Sequence, residues 1–194
     1  MLQIRIHGRG GQGVVSAAEM LSIAAFEQGR YAQAFPSFGS ERMGAPVVAF
    51  CRIADREIRL REPILAPDVL IVQDPTLLHQ VEVLQGLQPE GTVLINSQRD
   101  CHALGLADLP QQAVRWCSVP ANAIAIRHLG RPLPNAVMLG AFAALSSLIT
   151  LASVAQAIRH KFSAKLAEAN VAAATEAFEF VRQQTQATVD AQAD

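Results

Sequence analysis

Four glycines fall within six positions, Gly8 to Gly13, between a strand-like run and a helix-like run in RIHGRGGQGVVSAAEML (residues 5–21). A chain does this where the backbone must turn sharply from strand to helix, because glycine enters φ/ψ regions closed to residues with a Cβ. The spacing Gly8-x-Gly10-x-x-Gly13 fits a nucleotide-binding turn, in which main-chain N–H groups at a helix N-terminus receive a phosphate. Arg9 and Gln12 are candidate extra donors in that loop. The spacing alone does not separate a phosphate cradle from a tight turn that binds nothing.

A dinucleotide makes a further demand. A carboxylate should stand about 20 residues on, at the end of the second strand, to hold the ribose hydroxyls. That region reads YAQAFPSFG, with no Asp or Glu before Glu41. NAD therefore loses ground, and the Walker pattern fails because no Gly-Lys-Ser/Thr follows the loop.

Further along the chain, LQIRI and YAQAF predict short strands, and VVSAAEMLSIAAFEQG predicts a helix that stops at Gly29. PSFGSERMGAP reads as an exposed loop. VVAFCRI and EIRLRE flank a turn and predict a β-hairpin over 47–61. DVLIVQD and GTVLINS are almost wholly apolar, as strands covered on both faces are, and AVRWCSVP is a further strand candidate. PTLLHQVEVLQG opens on proline and closes on glycine, as a helix does. After Pro120, helices are expected in ANAIAIRHLG, NAVMLGAFAALSS and SVAQAIRHKF, and then from about 167 to 183. The fold class that follows is α/β: a mixed, mainly parallel Rossmann-like sheet with helices on both faces, a β-hairpin and a helical C-terminal third. Residues 1–186 read as a single domain, and 187–194 as a polar, frayed tail.

With 16 basic and 17 acidic residues, the net charge is −1, which offers no electrostatic reason to expect nucleic acid or an anionic membrane as partner. Hydrophobic residues make up 51% of the chain, enough for a sizeable core. Cys51, Cys101 and Cys117 form no CxxC pair, so zinc knuckles and cluster loops lack support. No apolar signal core opens the chain, and a cytoplasmic protein with reduced thiols is expected. Residues 132–158 carry no charge, but Pro132 and Pro134 at the start of the run and the hydroxyls of SSLITLAS within it favour buried helices over a membrane span.

Other chemistry is sparse. On a hairpin, Arg59 and Arg61 share a face, with Arg52 and Arg56 nearby; this is either an arginine patch for anions or a solvated strand face. His7 precedes the glycine loop as a donor or a satisfied neighbour. His79, His102, His128 and His160 have no metal-like spacing. Asp74, beside Pro75, reads as a helix cap. No catalytic triad or GxSxG is legible.

Three linked pieces, GRGGQG, QAFPSFGSERMGAP and the following AFCRI, carry a resemblance to the γ subunit of 2-oxoacid:acceptor oxidoreductases of the pyruvate:ferredoxin type. PNAVMLGAF at 134–142 is similar to the family pattern as well, so the likeness spans most of the chain. Met43 departs from it, because many members carry arginine or threonine there. The resemblance implies a multi-subunit enzyme that oxidatively decarboxylates a 2-oxoacid (pyruvate, 2-oxoglutarate, branched-chain or aromatic) to an acyl-CoA. Thiamine diphosphate with Mg sits on the α and β subunits, and [4Fe–4S] clusters sit on a ferredoxin-like subunit. The γ chain helps form the coenzyme A site and the subunit interface. It implies no catalytic or metal-binding residue on this chain. The cradle is Gly8, Arg9, Gly10, Gly11, Gln12 and Gly13, with Ser37, Glu41 and Arg42 on the neighbouring loop. Two alternatives stand beside it: a solitary nucleotide-binding protein, and a purely structural subunit whose glycines serve close packing.

Overall fold

The computed structural model describes residues 1–37, 43–100, 103–106 and 114–193, the last six of these by their backbone. Strand β1 (Leu2–Arg9) leads through the glycine loop into helix α1 (Val14–Glu27). Strands β2 (Tyr31–Pro36), β3 (Pro46–Ala54), β4 (Val69–Val72), β5 (Thr92–Asn96) and β6 (Arg115–Val119) follow. Then come helices α2 (Ala121–Leu129), α3 (Asn135–Leu145), α4 (Leu151–Lys161) and α5 (Ala164–Ala193). The six strands form one sheet in the order β2-β3-β1-β4-β5-β6. β1, β4, β5 and β6 run parallel, and β3 runs antiparallel to both β1 and β2. The mixed, mainly parallel α/β sheet read from the sequence is therefore the observed one, but the helices expected on both faces are not: among the described residues all five α-helices pack into the core on one face.

Alternation along the strands divides the sheet into two faces. Ile4, Ile6, Val47, Ala49, Cys51, Val69, Ile71 and Leu94 join one large core with buried residues from all five α-helices. Leu70, Val72, Val93 and Ile95 join a smaller core beneath Leu77, Val83, Leu104 and Leu106. The covering helix expected over PTLLHQVEVLQG is a short 3-10 helix, Pro75–His79, followed by turns. The physical reason lies in β1. The buried Arg5 guanidinium donates from Nη2 to the carbonyls of Val83 and Gln85, both at 2.7 Å, and from Nη1 to that of Ile64. These carbonyls satisfy a buried charge instead of a helical ladder.

The hairpin expected over 47–61 also differs. β3 pairs with β1 from Leu2↔Ile53 to Arg9↔Pro46 and with β2 from Tyr31↔Ala54 to Pro36↔Ala49. Both its edges are taken, and residues 57–61 form no strand. No arginine face results. Arg59 is solvent-exposed beside Glu57, whereas Arg52 is buried. Arg52 donates to the Glu62 carbonyl at 2.6 Å and lies over the Phe35 ring.

The uncharged run finds its explanation in α3, where every residue from Asn135 to Ala143 is buried. Gly140 faces the Ala174 carbonyl of α5 so closely that any Cβ would overlap it. Among the described residues no helix is long and apolar enough to cross a membrane. α5 starts three residues earlier than expected and continues to Ala193, through residues that read as a polar tail.

Candidate functional site

β1 and β4 are parallel neighbours whose connections leave in opposite directions, toward α1 and β2 on one side and toward β5 and β6 on the other. The C-terminal ends of such a strand pair open a crevice where α/β sheets bind ligands. The glycine loop lies there. Gly13 is the N-cap of α1 with φ 73° and no side-chain cap, and its hydrogens face Asn135 at the start of α3, where a Cβ would overlap the amide. Gly8 lies against Val14 and Gln73, a Cβ there being 2.6 Å and 3.2 Å from their side-chain atoms. Gly10 donates to the Ala45 carbonyl at 2.9 Å and accepts from Gly44 at 3.0 Å. Sequence pieces far apart thus meet: GRGGQG with MGA of the second loop, and with Asn135 of PNAVMLGAF.

The N–H groups of Gly11, Gly13, Val14 and Val15 have no acceptor among the described residues. They stand at the positive end of a 14-residue helix with no acidic residue in its first turn. The arrangement can hold an anion through main-chain donors.

Arg9 and Gln12 are committed elsewhere. Arg9 donates from Nε to Asp74 Oδ2 (3.1 Å), from Nη1 to the Gly44 carbonyl (3.1 Å), and from Nη2 to Thr76 Oγ1 (2.8 Å) and Gln80 Oε1 (2.7 Å). Gln12 Oε1 accepts from the Arg9 N–H at 2.8 Å, and its Nε2 donates to Asp74 Oδ2 at 3.1 Å. Both side chains brace the loop against the 74–80 turn. Asp74 caps that turn, as the sequence suggested, accepting from the N–H and hydroxyl of Thr76 at 3.0 and 2.6 Å. Partial burial pushes its carboxyl up. The hydrogen bonds from Thr76 and Gln12 and the charge of Arg9 outweigh that and hold it below the ordinary value.

Of the remaining site residues, Ser37 is exposed at the end of β2, its N–H donating to the Val48 carbonyl at 2.8 Å. Glu41 and Arg42 lie outside the described residues, as do Cys101 and His102. Met43, 87% exposed, lays its sulfur over Gly11. His7 is a satisfied neighbour: Arg5 Nε donates to its Nε2 at 2.9 Å, and burial, helped by the Arg5 charge, lowers its pKa to about 3. His128 bonds Glu176 at 2.7 Å. Among the described residues no His, Cys, Asp and Glu grouping fits a metal ion.

Sequence reasoning missed the buried amides of this edge. Gln73 is wholly buried, with neither amide atom partnered, and Asn96 and Asn135 are nearly so. Their one signal is a polar residue closing an apolar strand, or opening an apolar helix.

Residues 3–180 match the family described as pyruvate ferredoxin/flavodoxin oxidoreductase. The chain is 47% identical over 178 residues to the pyruvate/ketoisovalerate oxidoreductases common subunit gamma of Thermococcus kodakarensis, covering 92% of this chain and 96% of that one. Among solved structures it resembles the pyruvate oxidoreductase subunit PORC of Thermotoga maritima, with TM-score 0.78 and 36% identity over 92% of this chain and 95% of the other. It also shares the fold of part of the 2-oxoglutarate:ferredoxin oxidoreductase of Magnetococcus marinus, solved with 2-oxoglutarate, coenzyme A and succinyl-CoA bound. That match has TM-score 0.72 and 21% identity, and covers 96% of this chain and 31% of the other.

Proposed function

Because the chain belongs to the pyruvate ferredoxin/flavodoxin oxidoreductase family and matches its γ-type subunits, we propose that it helps form the coenzyme A site of a 2-oxoacid oxidoreductase complex. The observation that carries this is the set of N–H groups of Gly11, Gly13, Val14 and Val15, without acceptors among the described residues, at the N-terminus of α1 and in the switch-point crevice. In this reading they receive the diphosphate of coenzyme A. Arg9 and Gln12 do not touch the ligand; they keep the loop in place through Asp74.

The complex oxidatively decarboxylates a 2-oxoacid to an acyl-CoA, the substrate being pyruvate, 2-oxoglutarate, a branched-chain or an aromatic oxoacid. Thiamine diphosphate belongs to the α and β partners and the [4Fe–4S] clusters to a ferredoxin-like partner. Among the described residues the donor set does not fit a cluster. Burial pushes the Cys51 thiol up to about 12 and that of Cys117 up to about 11, and they stand on different strands, β3 and β6.

The test is steady-state kinetics of the assembled complex. Gly11→Ala imposes a side chain at φ 95° beneath Met43. Gly29→Ala imposes comparable backbone strain at φ 71°, with nothing within 4 Å of its Cβ. Gly11→Ala is expected to raise KM for coenzyme A at least tenfold with KM for the 2-oxoacid unchanged, while Gly29→Ala moves neither. Equal effects of the two variants, or no change in the coenzyme A KM, would overturn the reading.

A further inference from the structure

A second cleft opens on the same edge of the sheet, two strands from the glycine loop, where β5 and β6 end and α2 begins. It has two lobes, of about 400 and 440 Å³, that share Ser97, Gln98, Arg99, Pro120 and Ala123. That size suits a small-molecule site. One lobe reaches Ser118 and Phe180, the other Asn96 and Asn122.

Three observations converge on it. First, the Arg99 guanidinium at the junction of the lobes has no partner among the described residues; only its main-chain N–H is engaged, donating to Ser97 Oγ at 2.9 Å. Arg127, by contrast, is paired with Glu176. Second, Asn122 Oδ1, whose residue lines the cleft, is a buried side-chain polar atom without a partner among the described residues; the two unpartnered amide atoms of Gln73 lie on the same sheet edge but outside the cleft's lining. Asn96 links them, donating from Nδ2 to the Gln73 carbonyl at 2.8 Å and accepting at Oδ1 from the Asn122 N–H at 3.0 Å. An orphaned buried acceptor is destabilising unless a donor reaches it. Third, the half-buried ring of Phe180 walls the other lobe. Asp100 also lines that lobe, with one oxygen held by the Ala103 N–H at 2.8 Å.

We infer that this cleft is a binding site for a nucleoside phosphate. Arg99 and Ser97 take the phosphate, Phe180 stacks the planar ring, and Asn122 Oδ1 accepts from a hydroxyl or amine of the ligand. The mixed lining matches a ligand that carries an anion, a ring and several donors on one small frame. The inference stands apart from the glycine-loop reading, because none of the cleft's residues belongs to that loop. One chemistry has two sources here, a free nucleotide or the nucleotide end of coenzyme A.

The test is isothermal titration of adenosine 3′,5′-bisphosphate into the assembled complex. One site per copy of this chain is expected, weakened at least tenfold by Arg99→Ala and less by Arg99→Lys. Phe180→Ala is expected to weaken the bisphosphate while leaving inorganic phosphate unaffected. No binding at millimolar probe, or binding indifferent to Arg99→Ala, would overturn the site. Repeating the titration with saturating coenzyme A separates the sources: loss of binding assigns the cleft to that molecule, and undiminished binding assigns it to a free nucleotide. Failure of the glycine-loop reading shows instead in the KM of the Gly11 variant, which this titration does not touch.

Discussion

Lowering the pH from 7.5 to 4.5 is expected to remove about 2.7 kcal/mol of folding stability through His7 alone. In the folded chain burial and the neighbouring Arg5 charge hold this imidazole neutral down to about pH 3, against an ordinary value of 6.5. A depressed pKa means that the unfolded chain binds the proton first. The stability is complete above 6.5, falls by about 1.4 kcal/mol per pH unit below it, and levels off near 3. The paired perturbation is His7→Gln, whose amide oxygen can still accept from Arg5 Nε but does not titrate. Urea unfolding of both proteins at pH 7.5, 6.5, 5.5 and 4.5 isolates the difference, because the carboxylates contribute almost equally to each. The wild-type curve should fall faster, the gap between the two changing by about 2.7 kcal/mol across the series. Parallel curves would refute both the burial argument and the assignment of Nε2 as acceptor.

Three further outcomes follow from the packing. Arg9→Ala removes four hydrogen bonds, one of them to a largely buried carboxylate, and is expected to cost about 2–4 kcal/mol in thermal unfolding. Arg9→Lys should recover less than half of that, because an ammonium cannot reach both the Gly44 carbonyl and the three acceptors of the 74–80 turn. Gly140→Ala drives a methyl into the Ala174 carbonyl and should destabilise by about 2–4 kcal/mol, read by calorimetry. Thr150→Ala breaks the reciprocal cap with Ser153, at 3.1 and 3.0 Å, and should cost about 1 kcal/mol by the same measurement.

What was legible in the sequence is what local pattern encodes. Apolar runs closed by turn residues located β4 and β5, and glycine spacing located the β1–α1 turn, because strand burial and a positive φ leave direct marks. The 75–86 segment carried helix punctuation at both ends and still failed to form an α-helix. Its carbonyls answer a guanidinium more than 75 residues away, a demand that no local window contains. EIRLRE alternates like a strand, but both edges of β3 are taken by partners the alternation cannot name. At the site, the glycines were legible as a loop. Arg9 reads in the sequence as a donor toward a ligand; its bonds to Asp74, Thr76 and Gln80 were not legible, because those acceptors come from the far side of the crevice. Gln73 and Asn122 left no signal beyond a polar residue beside an apolar run.

Among the described residues all five α-helices lie on one face of the sheet, while the other is covered by turns and one five-residue 3-10 helix. The two sides should therefore open on different scales. Amides of α3, walled in on every side, exchange with solvent only when the whole molecule unfolds, whereas those of residues 75–91 are released by a local opening that leaves the sheet standing. Because Arg5 ties two carbonyls of the covering segment, those of Val83 and Gln85, to β1, that opening is one event and not a gradual fraying. Residues 75–91 also carry Arg9's partners Thr76 and Gln80, so each excursion of the soft side slackens the brace beneath the glycine loop. Whatever binds the crevice will quiet the covering segment on the opposite face.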